Sequence, residues 1–173
     1  MNAPEWGLSI AYWLHMLATV VWLGGLAALA LIVLPSARRT LDAQAYAQLL
    51  DALQSRLDPI GWLSLAVLAA TGMFQMSANP NYSGLLAIDN RWAVAILIKH
   101  IAIGGMVVAS AYQTWVVLPG LRRLALRQAR GLEASEIETL RKREATLLVV
   151  NLALAVVVLA LTAMARSFNE LHL

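Results

Sequence analysis

Two histidines and a lysine are the residues in this sequence that bring reactive chemistry into long apolar stretches. His15 lies 20 residues before Pro35, and His100 lies 19 before Pro119. If the two prolines mark one level, an offset of one residue is only about 1.5 Å of helix rise, so the imidazoles sit at nearly equal depth. Neutral imidazole binds haem iron and other transition metals, with metal–nitrogen bonds of about 2.0–2.1 Å in the zinc case. A single histidine among apolar residues is as readily a core polar group bonded to a neighbouring helix. Ionisable groups at membrane depth are nevertheless functional candidates by default, and two at one depth predict a shared ligand role. Lys99 is the only Asp, Glu, Lys or Arg within the four apolar stretches. It reads first as a side chain snorkelling to the surface. As the neighbour of His100 it diverges by about 100° around the helix, so only one of the two can face a bundle axis. His172, close to the end of the sequence, reads as a solvated bystander.

Other residues bear on which metal centre this would be. Gly24, Gly25, Gly104 and Gly105 would let a porphyrin approach the backbone, although close helix packing through small residues explains them equally well. Arg91 and Arg166 could pair with haem propionates, the ordinary alternative being interfacial snorkelling. Bare copper competes with haem, because thioethers suit Cu(I). Met16, Met73, Met76, Met106 and Met164 supply them. The expectation is a b-type haem on His15 and His100. Copper is the alternative, held by His15 and His100 with methionines such as Met16, Met73 and Met76, and Lys99 is the alternative to His100 as the third-helix ligand.

The elements that must hold these groups follow from composition. Of 173 residues, 60% are hydrophobic and 13% charged, where a soluble domain carries about 25% charged. The apolar residues concentrate in four stretches, Trp6 to Ala37, Pro59 to Ile88, Trp92 to Leu121 and Ala145 to Ala165. A spanning helix needs about 20 such residues, so four spans are expected, at about 8–34, 60–76, 92–118 and 145–165. This excludes a soluble enzyme, a nucleic-acid module and a disordered chain. The fold expected is an all-α, four-helix transmembrane bundle, up-down-up-down, forming a single integral membrane domain. Ten basic residues (Arg38, Arg39, Arg56, Arg122, Arg123, Arg127, Arg130, Arg141, Lys142 and Arg143) fall on one side, against Arg91 and Arg166 on the other. Positive charge gathers in the cytoplasm, which puts both termini and the loop from Ser77 to Arg91 outside. Trp6, Trp13, Tyr82, Trp92 and Phe168 fall where an outer aromatic belt belongs. The N-terminus lacks the basic region of a cleaved signal, so the first stretch is expected to stay as a span. With no cysteine, thiolate sites and covalently attached haem are ruled out.

Within that frame, Pro35 is expected to end the first helix. Leu41, Ala45, Leu49, Leu50 and Leu53 recur at helical spacing, which marks an amphipathic segment at the membrane face or, more simply, a helical linker. The third helix is expected to run past Pro119 to Gly131. Ser135 with Glu138 matches a capping box ahead of the fourth helix. An internal duplication ties these features together. Val33-Leu34-Pro35-Ser36-Ala37-Arg38-Arg39 matches Val117-Leu118-Pro119-Gly120-Leu121-Arg122-Arg123 at five of seven positions. It predicts two helical hairpins related by an axis along the membrane normal, a known repeat arrangement.

Leu14-His15 followed by Val21-Trp22-Leu23-Gly24-Gly25, with Ile98-Lys99-His100 leading to Leu118-Pro119, resembles the membrane domain of the copper-resistance protein D (CopD) family. The likeness runs from about Trp13 to Ala165 and implies copper handling at the bacterial inner membrane. The chain is also distantly similar to the four-helix HemJ-type protoporphyrinogen oxidases. Those depend on a first-helix histidine and a third-helix lysine, to which His15 and Lys99 correspond. That resemblance implies a haem site and makes Lys99 a rival to His100; the oxidase activity is not carried over. The functional expectation is therefore a non-enzymatic electron-transfer or redox protein of the inner membrane, working with a redox partner. Copper transport and a structural role in a larger membrane complex are the alternatives.

Overall fold

The structure is a computed structural model that describes residues 5–86, 88–132 and 136–170. Every regular element among them is helical. Four continuous runs are long and apolar enough to cross a membrane. The first comprises α1 (Glu5–Ala28), a π-helical turn (Leu29–Val33) and α2 (Leu34–Thr40). The second is α3 (Ala43–Ser77). The third comprises α4 (Arg91–Tyr112), a π-helical turn (Gln113–Val117) and α5 (Leu118–Ala129), and the fourth is α6 (Ile137–Glu170). We call the end carrying Arg38 and Arg122 the basic end.

The runs are arranged as a square. α1 packs on α3 and touches α6, α4 packs on α6, and α5 packs on α3 and α6. The first and third runs share no extended contact, so they are the diagonal pair. The second and third runs meet through α5, at the basic end. Buried side chains form three layers. Leu34, Tyr46, Leu50, Val117, Leu121 and Leu148 fill the basic end. Trp22, Ala102, Met106, Ala155 and Val158 fill the middle, and Met76, Trp92, Ala93, Ala95 and Ala165 the far end. Large apolar side chains such as Val20, Leu63, Val108 and Val149 remain about two-thirds exposed around the outside. That is the distribution of a helix bundle solvated by hydrocarbon.

Helix limits follow from local chemistry. Asp42 and Asn90 cap α3 and α4, accepting from the backbone N–H of Ala45 (2.8 Å) and Ala93 (2.7 Å). Gly131, at φ 73°, closes α5, with Leu132 N–H donating to Arg127 O and Gly131 N–H to Gln128 O. This pair of bonds needs the left-handed residue that glycine supplies. Two limits depart from the sequence expectation. Pro35 does not end the first helix, because the π-turn before it widens the backbone and α2 continues to Thr40. The second helix begins at Ala43, with Pro59 inside it. Residues 43–57 are thus neither a membrane-face segment nor a separate linker; Tyr46, Ala47 and Leu50 pack into the basic-end core. The third run does reach Ala129 and turns at Gly131. The capping box expected from Ser135, and His172, lie outside the described residues. Of the aromatic belt, Trp6 and Trp13 are exposed, whereas Trp92 is buried in the far-end core with Tyr82 and Phe168 packed against it.

The two π-turns have one cause and one register. In each, the residue after the turn donates five residues back, Leu34 N–H to Leu29 O and Leu118 N–H to Gln113 O. The next residue is a proline with no N–H and a ring that clashes with a regular helical carbonyl. Widening to the i→i+5 pattern relieves that clash. The boundaries at 28, 29 and 34 recur at 112, 113 and 118, always 84 residues on. At the basic end the guanidinium of Arg38 pairs with Glu144, whose side chain is fully buried. Arg141 lies over the Tyr46 ring, 5.8 Å from its centre. First and fourth runs are fastened there by charge as well as packing.

Candidate metal centre

His15 sits on α1, mostly covered by α3. Its Nδ1 lies 2.8 Å from the Thr71 hydroxyl. Thr71 in turn donates to the Val67 carbonyl at 2.6 Å, the backbone bond usual for a threonine inside a helix. With its proton committed there, the Thr71 oxygen acts as the acceptor. His15 therefore carries its hydrogen on Nδ1 and leaves Nε2 with a free lone pair. A metal-binding histidine is commonly held in this way, one nitrogen donating to an oriented partner and the other available. Gly72 lies against the ring as well, since a Cβ at that position would stand in ordinary contact with it, 3.4 Å from His15 Cε1. Nearby, Gln75 Nε2 donates to the Ala11 carbonyl at 3.0 Å and ties α3 to α1 across the same interface.

Lys99, on α4, is mostly buried, and its charge acts electrostatically on His15. Adding the offset of 84 to 15 gives 99, so His15 and Lys99 occupy corresponding positions in the two proline-bearing runs. His100 faces the other way. It is exposed, and its Nδ1 lies 2.7 Å from the Ile96 carbonyl of its own helix. The side chain of Lys99 is thus largely covered, whereas His100 lies on the outside of the bundle.

The remaining expected site residues are dispersed. Met16, Met73 and Met164 are half or more exposed, while Met76 and Met106 are buried in separate core layers. The thioethers therefore do not converge on His15. Gly24 and Gly104 face open space; Gly105 packs on Leu154, and Gly25 lines a cavity farther toward the basic end. Arg91 and Arg166 are both exposed at the far end. No group of three or more His, Cys, Asp or Glu side chains suited to a metal occurs among the described residues. A centre here would need few protein ligands and a donor such as a macrocycle for the rest. Thr71 and Gly72 are functional neighbours that the sequence did not single out, being 56 and 57 positions from His15 and on another helix.

No protein-family model matches this chain, and no curated protein or solved structure does so.

Proposed function

We propose that this chain is a multi-pass protein of the bacterial inner membrane that holds a redox metal centre, a b-type haem, on His15. The observation that carries the proposal is the 2.8 Å bond between His15 Nδ1 and the Thr71 hydroxyl, whose own hydrogen goes to Val67, an arrangement that leaves Nε2 available to a metal. Lys99 is the α4 residue favoured to face the haem; His100, on the outer surface, is its rival. Haem fits this donor set because the porphyrin supplies four equatorial nitrogens, leaving the protein to provide one or two axial ones. Such a group carries single electrons, which makes the protein an electron-transfer or redox component serving a partner in or at the membrane. Arg91 and Arg166, at the far end, have the charge to receive propionates. Copper handling through methionine has less support, since the methionines are spread over separate surfaces and layers.

The basic end faces the cytoplasm and both termini face outside in this reading, following the ten-to-two distribution of positive charge. The shared 84-residue register of the two π-turns supports a tandem duplication of helical hairpins. The test is the absorption spectrum of the purified protein, oxidised and reduced, with metal analysis. A Soret band with stoichiometric iron is expected, lost in His15→Ala, changed in Lys99→Ala and retained in His100→Ala. Stoichiometric copper without a Soret band would replace haem by copper. Loss in His100→Ala with retention in Lys99→Ala would transfer the α4 role to His100.

A further inference from the structure

Toward the basic end, the first three runs enclose a partly open cavity of about 130 Å³. It is separate from the His15 site. Its walls are mostly hydrocarbon and indole, Trp22 and Trp62 among them, the latter stacked on Trp115 with ring centres 5.4 Å apart. The polar side chains of the lining are Asp58 of α3 and Ser110, Gln113 and Thr114 of the third run. Among the described residues the only polar contact of the Asp58 carboxylate is the Thr114 hydroxyl, which donates to it at 3.4 Å. The two ion pairs among those residues, Arg38–Glu144 and Arg122–Asp51, do not involve it. Gln113 is 7% exposed, and its carboxamide has no hydrogen-bond partner among the described residues. Its nitrogen and oxygen keep some accessible surface, as atoms at a cavity wall do.

We propose that this cavity is a binding site for a small alkylammonium ion, its charged end on Asp58 and Gln113 and its alkyl body against the indole and aliphatic wall. An uncompensated carboxylate asks for a cation. A bare alkali ion would want oxygens on all sides, whereas most of this lining is hydrocarbon and indole. Indole faces attract cations as well as alkyl groups. Pockets for organic ligands have this make-up, largely apolar with a few placed polar groups. An engineered apolar cavity of about 150 Å³ takes benzene, so the ligand here has about six heavy atoms or fewer. Gly25 and Gly61 lie on the wall, and a Cβ built on either meets nothing within 4 Å. A first side-chain carbon is thus accommodated at either position, which makes them the places from which to fill the void.

The experiment is calorimetric titration of the full-length protein in detergent with n-butylammonium chloride, using n-butanol and sodium chloride as matched controls. Saturable one-to-one binding of butylammonium is expected, with neither control binding. Asp58→Asn should weaken it about tenfold or more, the factor for losing a charged hydrogen bond. Gly61→Leu should abolish it with no fall in unfolding temperature, which keeps the test decisive if Asp58→Asn does not fold. Butanol binding as well as butylammonium, sodium binding in its place, wild-type affinity in Asp58→Asn, or no saturation would each overturn the proposal. The spectrum attributed to the His15 site should be the same in Gly61→Leu, so the two readings fail independently.

Discussion

At the scale of single residues, the hydroxyl of Thr71 decides which nitrogen His15 can offer. Thr71→Val keeps the shape and removes the acceptor, so the imidazole loses the partner that fixes its tautomer. Outer-shell losses of this kind weaken metal affinity by about 10–100-fold. On the haem proposal, titrating haem into the purified protein should show that weakening in Thr71→Val and much less of it in Thr71→Ser. Unchanged affinity in Thr71→Val would remove the hydroxyl from any role at the centre. His15 was legible in the sequence because an imidazole in an apolar stretch has few ordinary explanations. Thr71 and Gly72 were not, since their significance lies in how α3 meets α1, which no local pattern encodes. The choice between Lys99 and His100 was partly legible. Pro35 follows His15 by 20 residues and Pro119 follows Lys99 by 20 and His100 by 19, so spacing alone separates the two by a single residue, and the reading for His100 rested on imidazole chemistry.

The helices themselves show how a proline can sit inside a continuous run. In the second π-turn the i→i+5 pattern would send a hydrogen from residue 119 to the Thr114 carbonyl, and Pro119 has none to give. Gln54 Nε2 supplies it from α3 instead, at 3.2 Å. Gln54→Ala should orphan that carbonyl and cost about 1–3 kcal/mol, the usual penalty for an unpaired buried acceptor. Thermal unfolding of the purified variant would show it, and an unfolding temperature equal to the parent's would mean that water takes the place of Gln54. Reading Pro35 as a terminator from sequence applied the regular α-helical rule. What it missed is that a one-residue expansion satisfies the same steric demand without breaking the run. Residues 43–57 were legible as amphipathic, but their partner, the mixed core of Leu34, Val117 and Leu121, comes from two other runs.

For the whole molecule, hydropathy alone was enough to foresee four helices long and apolar enough to span a membrane, and their order, because an apolar stretch in a membrane must satisfy its own backbone. Sidedness can be tested cleanly, since the chain has no cysteine. Ser83 and Gln128 are exposed at opposite ends. In intact bacterial spheroplasts, a cysteine at Ser83 should react with a membrane-impermeant maleimide and one at Gln128 only after lysis; the reverse pattern would invert the topology. At the basic end the hairpins are joined where α5 packs on α3 and where Arg38 reaches Glu144 and Arg122 reaches Asp51. The paired π-turns carry a last consequence, for the bookkeeping of sequence length. Each proline-bearing run contains one residue more than a regular helix would need to thread the same path. Removing the surplus from one run alone would turn everything on its far side by about 100°, taking either His15 or Lys99 out of alignment with the other. The two single-residue insertions are therefore expected to be gained or lost as a pair, appearing in aligned relatives as matched one-residue gaps 84 positions apart.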